Sequence, residues 1–257
     1  MKFSVVTWNV NSVRARIKNV VEFLKNNESD VLCMQETKVE NRMFPKEEFE
    51  NLGYNIALFG QKRFNGVATV SKKPFDEVKT KLFEEEDKQR RVILTKINDI
   101  TIINSYFPNG KSPESDNFRY KLEFINGFRK YIENNYSSEK DKIIIVGDFN
   151  VAKEEIDVYD VNSMVGKIGF HPKEREALLN FYNWGFTDAF RLFNKEQEFS
   201  WWDYRLSSFK RNIGLRIDYI WISKPLINLC TNCYIDTDER GKEKPSDHAP
   251  MVASFDI

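Results

Sequence analysis

Asp148 and Asn150 stand two residues apart in Val146-Gly147-Asp148-Phe149-Asn150, directly after the apolar run Ile143-Ile144-Ile145. A carboxylate and a carboxamide at the end of a buried strand serve no purpose in a hydrophobic core. Alternation along a strand puts positions i and i+2 on the same side. The pair is therefore expected to reach one point beyond a strand end, where α/β proteins place ligands.

Other polar clusters occupy similar places. Asn9 and Asn11 follow the first apolar run, and Gln35-Glu36-Thr37-Lys38 follows the second. Tyr106-Phe107-Pro108-Asn109-Gly110 follows a third run, Arg216-Ile217-Asp218-Tyr219 opens a fourth, and Ser246-Asp247-His248-Ala249-Pro250 precedes the last. Taken singly, Asn or Asp after a strand caps a turn or helix, and Asn11-Ser12 ahead of Arg14 has the form of an N-cap. Asp218 within an apolar run demands a buried partner. His248 is one of only two histidines; the other, in Phe170-His171-Pro172, reads as a structural residue at a helix start.

Together, Glu36, Asp148, Asn150 and Asp247, with Asn9 and Asn11, offer hard oxygen donors. These suit Mg²⁺ or Mn²⁺ better than zinc. Mg²⁺ keeps several waters, so one or two carboxylates suffice when a substrate phosphate completes the shell. The sequence has no HExxH, no Cys/His quartet, no Walker A and no GxGxxG pattern, and no Ser or Cys sits in a nucleophile elbow. Water is the expected nucleophile.

The elements that must position these residues are short runs rich in Val and Ile that alternate with helical stretches. Strands are expected at residues 2–8, 30–35, 54–58, 66–71, 91–97, 101–106, 142–147, 199–202, 216–222 and 251–255. Helices are expected at 14–25, 114–134 and 173–184; in the second, Leu122, Ile125, Phe128 and Ile132 recur at helical spacing. This many strands without a dividing linker exceeds what one open sheet holds. The expected architecture is α/β: two packed mixed sheets flanked by helices, a four-layer sandwich in one domain over residues 1–257. The run Glu84-Glu85-Glu86-Asp87 reads as a solvated loop.

Composition sets outer limits. The 257 residues carry 39 basic and 39 acidic side chains, which excludes a histone-like polycation but leaves room for local basic patches. Cys33, Cys230 and Cys233 are an odd number in apolar contexts, so free thiols in a reducing compartment are expected; a lone Cys230-x-x-Cys233 is a weak metal or redox signal. The N-terminal run is too short for a signal peptide and no run approaches ~20 apolar residues. A cytoplasmic protein with no membrane role is expected.

The motifs resemble, in order and across nearly the whole chain, the exonuclease III class of AP endonucleases in the endonuclease/exonuclease/phosphatase superfamily. The matching segments are Trp8-Asn9-Val10-Asn11 with Arg14, Gln35-Glu36-Thr37-Lys38, Tyr106 to Gly110, Gly147 to Asn150, Gly214-Leu215-Arg216-Ile217-Asp218 and Ser246 to Pro250. Looser matches lie at Met43-Phe44-Pro45, Gln89-Arg90-Arg91 and Phe199 to Arg205, and the Phe199–Arg205 and Gly214–Asp218 segments resemble the bacterial exonuclease III type. The resemblance implies a Mg²⁺-dependent DNA repair nuclease, with Mn²⁺ as a substitute, that cuts 5′ to abasic sites in duplex DNA and trims 3′ ends. It implies a metal group of Asn9, Glu36, Asp148, Asn150, Asp247 and His248, with Glu36 the principal ligand and Asn11 and Lys38 in support. It gives Asp148 the activation of water and Asn150 the attacking water or the developing phosphorane. Tyr106 and Asn109 would meet the scissile phosphate, and His248, oriented by Asp218, would stabilise its charge.

For DNA contact the sequence offers Arg205, Lys210, Arg211 and Arg216, with Arg119 and Lys121 as a second group. The resemblance implies that Trp201 lines the pocket for an extruded abasic sugar; Trp202 is expected in the core. Leu215 matches the bacterial type rather than the aromatic of human-type enzymes. A monomer is expected, since the substrate surface occupies one face. Two other readings compete: a phosphodiesterase of the same fold acting on RNA, lipid headgroups or inositol phosphates, and a non-catalytic nucleic-acid-binding relative. The second needs a motif residue to be lost, and none is.

Overall fold

The computed structural model describes residues 2–80, 82 and 89–257; the acidic run 84–87 lies outside the described residues. The first half of the chain holds β1 (Lys2–Asn9), α1 (Val13–Asn27), β2 (Val31–Gln35), α2 (Lys46–Glu50), β3 (Asn55–Phe59), β4 (Val67–Ser71), β5 (Glu77–Lys79), β6 (Val92–Ile97), β7 (Ile100–Tyr106) and α3 (Asp116–Asn135). The second half holds β8 (Lys142–Asp148), α4 (Val161–Met164), α5 (Pro172–Asn183), β9 (Thr187–Asp188), α6 (Ala189–Phe193), β10 (Asp218–Ile222), α7 (Lys224–Ile227), β11 (Cys230–Ile235) and β12 (Met251–Asp256).

The strands form two six-stranded mixed sheets, ordered β11-β12-β1-β2-β4-β3 and β5-β6-β7-β8-β10-β9. Each sheet centres on one parallel pair, β1 with β2 and β7 with β8, between antiparallel neighbours. Strand alternation explains why the central runs are apolar on consecutive residues. Val5, Cys33, Ile144 and Val146 face the core between the sheets. Their neighbours Val6 and Leu32 turn outward to α1, while Ile143 and Ile145 turn outward to α3 and α5. With both faces covered, an apolar run replaces the alternating pattern of a half-exposed strand. This is the expected helix–sheet–sheet–helix layering.

Three local expectations change. Residues 199–202 form only isolated bridges, from Trp201 to Leu215 and to His248. The short strands β5 and β9, and β11 with its bulge between Cys230 and Asn232, were not expected. Each is an edge strand; β5 and β9 are too short to register in the pattern, and β11 interleaves its inward Cys230, Cys233 and Ile235 with polar residues. Ser12, not Asn11, is at the α1 N-cap position, and it makes no side-chain cap bond.

Two buried polar side chains join the sheets below the functional edge. Gln35 Nε2 on β2 donates to Asn104 Oδ1 on β7 at 2.8 Å and to Thr7 Oγ1 at 3.0 Å. Asn104 Nδ2 donates back to the Ala68 carbonyl at 2.9 Å. These cross-sheet bonds favour one relative register of two sheets that apolar packing alone would leave free to slide, although Gln35 Oε1 is buried without a partner.

The three cysteines are buried and free. Burial pushes all three thiols up, which keeps them protonated and disfavours metal or redox chemistry. Among the described residues no helix is long and apolar enough to cross a membrane.

Candidate active site

The carboxyl ends of both parallel pairs meet at one edge. Register sets the partners: Asn9 lies opposite Gln35, Tyr106 opposite Asp148, and Asp148 opposite Asp218 on antiparallel β10. The turn after β8 then departs from strand geometry. Asn150 has φ 54°, and its backbone N–H donates to Asp148 Oδ1 at 2.8 Å. The two side chains converge through this Asx turn, not through strand alternation. Gly147 makes the close approach possible. Its φ is +145°, and a Cβ there would lie 1.7 Å from the Ser105 carbonyl oxygen.

His248 is buried against two carboxylates. Its Nδ1 is 2.8 Å from Asp218 Oδ2, and its Nε2 is 3.7 Å from Asp148 Oδ2. Burial alone would lower the imidazole's pKa, but Asp218, Asp148 and Asp247 override it and raise it. Burial raises the Asp148 carboxyl against the pull of His248, and Asp218 adds to the rise. The Ser200 hydroxyl accepts from the Ile217 and Asp218 N–H groups, and the Trp8 indole donates to the His248 carbonyl at 3.1 Å.

Asn9 spaces the acids. Its Nδ2 donates to Glu36 Oε1 and to Asp148 Oδ2, each at 2.9 Å, while its Oδ1 accepts from the Asn11 N–H at 3.0 Å. Lys38 Nζ sits 2.6 Å from Glu36 Oε2 and bonds Asn11 Oδ1. Asn11 also donates to Asp247 Oδ1 at 2.9 Å, and the Trp201 indole to Asp247 Oδ2 at 3.0 Å. Burial disfavours ionisation of Glu36 and Asp247. Even so, Lys38 and Asn9 hold Glu36 below the usual range, and His248, Trp201 and Asn11 do the same for Asp247. Burial, then Glu36 and Asp148, raise the Tyr106 phenol, which keeps it a neutral donor. Arg91 stacks over its ring at 4.8 Å.

These groups line a cavity of about 460 Å³. Its lining includes a polar set, Glu36, Tyr106, Asn109, Asp148, Asn150, Asp247 and His248, and an apolar set, Tyr159, Met164, Ile168, Trp201, Leu215 and Ile217. The donor set fits a hard cation. Glu36 and Asp247 are the carboxylates not committed to His248, and the Lys38 ammonium already rests against Glu36. Asp148, Asp218 and His248 also offer three ligand atoms within 4.8 Å of one another. Without a metal, the imidazole is the cation between the carboxylates of that trio.

The other expected metal-group residues are placed as follows. Asn9 turns its N–H₂ toward the carboxylates. Asn150 accepts from Asn109 Nδ2 at 3.0 Å and donates one N–H to the Phe107 carbonyl at 3.0 Å, leaving the other N–H for the cavity. His248 has a carboxylate facing each ring nitrogen. In this arrangement all three are engaged in hydrogen bonds or ion pairs with neighbouring side chains.

Two expected DNA contacts are corrected outright. Arg216 is fully buried, 2.7 Å from Asp157 Oδ1 and 2.8 Å from Asp188 Oδ2. Lys121 is fully buried against Glu174. Neither reaches a surface, because their neighbouring apolar residues carry them into the core. Arg205, Lys210, Arg211 and Arg119 are exposed, with Arg205 paired to Asp203 and Arg119 to Asp116. Trp201 borders the cavity and Trp202 is core, packed edge-on to Phe209 at 5.1 Å. His171 caps α5, as expected.

Sequence reasoning missed the apolar wall at Met164 and Ile168. It also missed Tyr204, whose hydroxyl donates to the Pro245 carbonyl and accepts from Arg16. The capping-box spacing of His171 and Glu174 was the only sequence trace of the element that holds this wall.

A two-sheet sandwich with acids, a buried His–Asp pair and amide donors at one edge defines a class of phosphoester hydrolases. The model of the endonuclease/exonuclease/phosphatase family matches residues 6–248, and the chain belongs to that family. It is similar to exodeoxyribonuclease III of Haemophilus influenzae, at 36% identity over 269 residues covering 99% of this chain and 100% of that protein. It superposes on an AP endonuclease from Archaeoglobus fulgidus with TM-score 0.95 and 37% identity, covering 99% of this chain and 100% of that one. A Neisseria 3′ phosphatase solved with a product DNA hairpin gives TM-score 0.93 and 33% identity, covering the same shares.

Proposed function

We propose that the chain is a Mg²⁺-dependent DNA repair nuclease that hydrolyses the phosphodiester 5′ to abasic sites and trims 3′ ends of duplex DNA. The observation that carries this reading is one cavity whose lining combines a polar hydrolytic set with an apolar set. A phosphate meets donors on the first, and a sugar stripped of its base meets Trp201, Leu215 and Met164 on the second. The exposed cations Arg205, Lys210 and Arg211, on the segment that follows Trp201, favour a polyanionic chain over a lone headgroup.

The residues divide the work by their electrostatics. The buried Asp148 carboxyl has a raised proton affinity, which suits it to orient a water and take its proton. The free N–H of Asn150 and the Asn109 amide meet the phosphoryl oxygens. Charged His248, oriented through Nδ1 by Asp218, donates to the oxygen on which charge develops. Neutral Tyr106 holds the phosphate beside Glu36. A divalent cation held by Glu36 and Asp247 would neutralise phosphoryl charge and assist the departing oxygen.

The test is incubation with Mg²⁺ and a duplex containing one tetrahydrofuran abasic analogue. Incision on its 5′ side is expected, and Asp148→Asn abolishes it. No incision by wild type, or equal cutting by Asp148→Asn, overturns the reading. An undamaged 3′-recessed duplex run alongside measures the balance of endonuclease and exonuclease action.

A further inference from the structure

Lys121 and Glu174 form an ion pair with both side chains fully buried. The ammonium has three N–H donors, and all are used: one on Glu174, one on the Asn150 carbonyl at 2.8 Å and one on the Asn109 carbonyl at 3.2 Å. Glu174 Oε2 accepts from the N–H of Gly169 at 2.9 Å and of His171 at 3.0 Å. Gly169 borders the cavity beside Ile168, and its carbonyl accepts from Ala152 N–H at 2.7 Å. The lysine stem is confined too: a Cβ at Gly110 would meet Lys121 Cδ at 3.2 Å and Ile168 Cδ1 at 3.3 Å. One end of this pair thus holds the backbone of both phosphate-facing asparagines. The other end holds the turn that supports the apolar wall.

Stability gives no reason for the pair. A buried ion pair is commonly no better than apolar residues of the same volume. Burial even lowers the lysine's proton affinity, against the pull of Glu174. What apolar side chains could not do is bond four backbone groups from three separate segments at once.

We propose that Lys121–Glu174 is a positioning pair that sets the spacing between the phosphate donors Asn109 and Asn150 and the sugar-facing wall. This rests on the nuclease reading above. Neither residue touches substrate, so the pair acts through the asparagines. Its loss should slow the chemical step more than it weakens binding.

The test is steady-state kinetics on the abasic-analogue duplex with the full chain. Lys121→Met/Glu174→Gln removes both charges together, so neither is left buried alone. The melting temperature should fall by only a few degrees, KM should stay within about twofold, and kcat should drop by about ten- to a hundredfold. Glu174→Asp keeps the charge but shortens the reach, and serves as the gentler variant should the double one not fold; about a tenfold loss in kcat is expected. Wild-type kcat in either folded variant overturns the positioning role. A matched rise in KM with unchanged kcat overturns it as well. Inactivity of wild type on this duplex would instead overturn the nuclease reading, so the two failures are distinct.

Discussion

His248 is clasped through both ring nitrogens, 2.8 Å from Asp218 and 3.7 Å from Asp148. The two aspartates are cross-strand partners on adjacent strands. Sheet register therefore fixes where the histidine must sit. The clasp also sets the charge state, because Asp218 is the strongest of the groups that raise the imidazole's pKa.

Asp218→Asn tests that control. A raised imidazole keeps its proton to higher pH than a free one, so activity that needs the charged form is present at neutral pH. It is lost as pH rises through the folded value. Removing the Asp218 charge should move this alkaline limb to lower pH and cut kcat at neutral pH by about ten- to a hundredfold. A pH–rate profile of both proteins checks it, and an unmoved alkaline limb contradicts it.

Glu36→Gln removes the carboxylate that faces the cavity beside Lys38. Activity should vanish in EDTA for wild type and return with Mg²⁺ or Mn²⁺. The variant should need at least tenfold more Mg²⁺ for half-maximal rate, about 1.4 kcal/mol of lost cation binding. A Mg²⁺ titration of the incision rate measures this.

Gly147→Ala should be among the worst single changes at the site. The added Cβ would lie 1.7 Å from a backbone oxygen, and φ is +145°. Strain alone costs about 1–3 kcal/mol, and the clash adds to it. A melting temperature about 10 °C lower, or failure to fold, is expected. Thermal unfolding followed by circular dichroism decides it.

Arg216 and the exposed cations should separate cleanly. Arg216→Met leaves the buried Asp157 and Asp188 short of a partner and should cost about 3–5 kcal/mol of stability. Arg205→Ala with Lys210→Ala and Arg211→Ala should leave unfolding unchanged. That triple variant should flatten the log–log salt dependence of DNA binding by about 0.9 per lost phosphate contact. Denaturation curves and binding at several salt concentrations tell the two classes apart.

Asp157 adds an acid limb to stability. Burial opposes its ionisation, but Arg216 and Arg191 hold its carboxyl below the usual range. A depressed carboxylate stabilises the fold above its unfolded value of about 3.9 and loses that contribution as pH falls through its folded value. Asp157→Asn should therefore be destabilised at pH 7, and its stability should depend less on pH below 4 than that of wild type. Urea midpoints across that range provide the measurement.

Much of this was readable from residue order. Consecutive apolar residues marked the central strands, because strands buried on both faces leave no alternation. Polar residues at the ends of those runs marked the site, because no core requires Glu36, Asp148 or His248 there. The short edge strands were not readable: β5 and β9 span only three and two residues, and β11 interleaves its inward Cys230, Cys233 and Ile235 with polar residues.

The sequence by itself determined the kinds of group available at strand ends: acids, amides, one histidine and a tyrosine. It could not determine their roles. Tertiary structure decided that Asn9 and Asn150 present N–H, because Glu36, Asp148 and Asn109 occupy the opposite ends of their hydrogen bonds. It also sent Lys121 and Arg216 inward and left Arg205, Lys210 and Arg211 in water. The physical reason is common to both outcomes. A charge or an amide takes its function from the partner and the dielectric around it, and distant parts of the chain supply both.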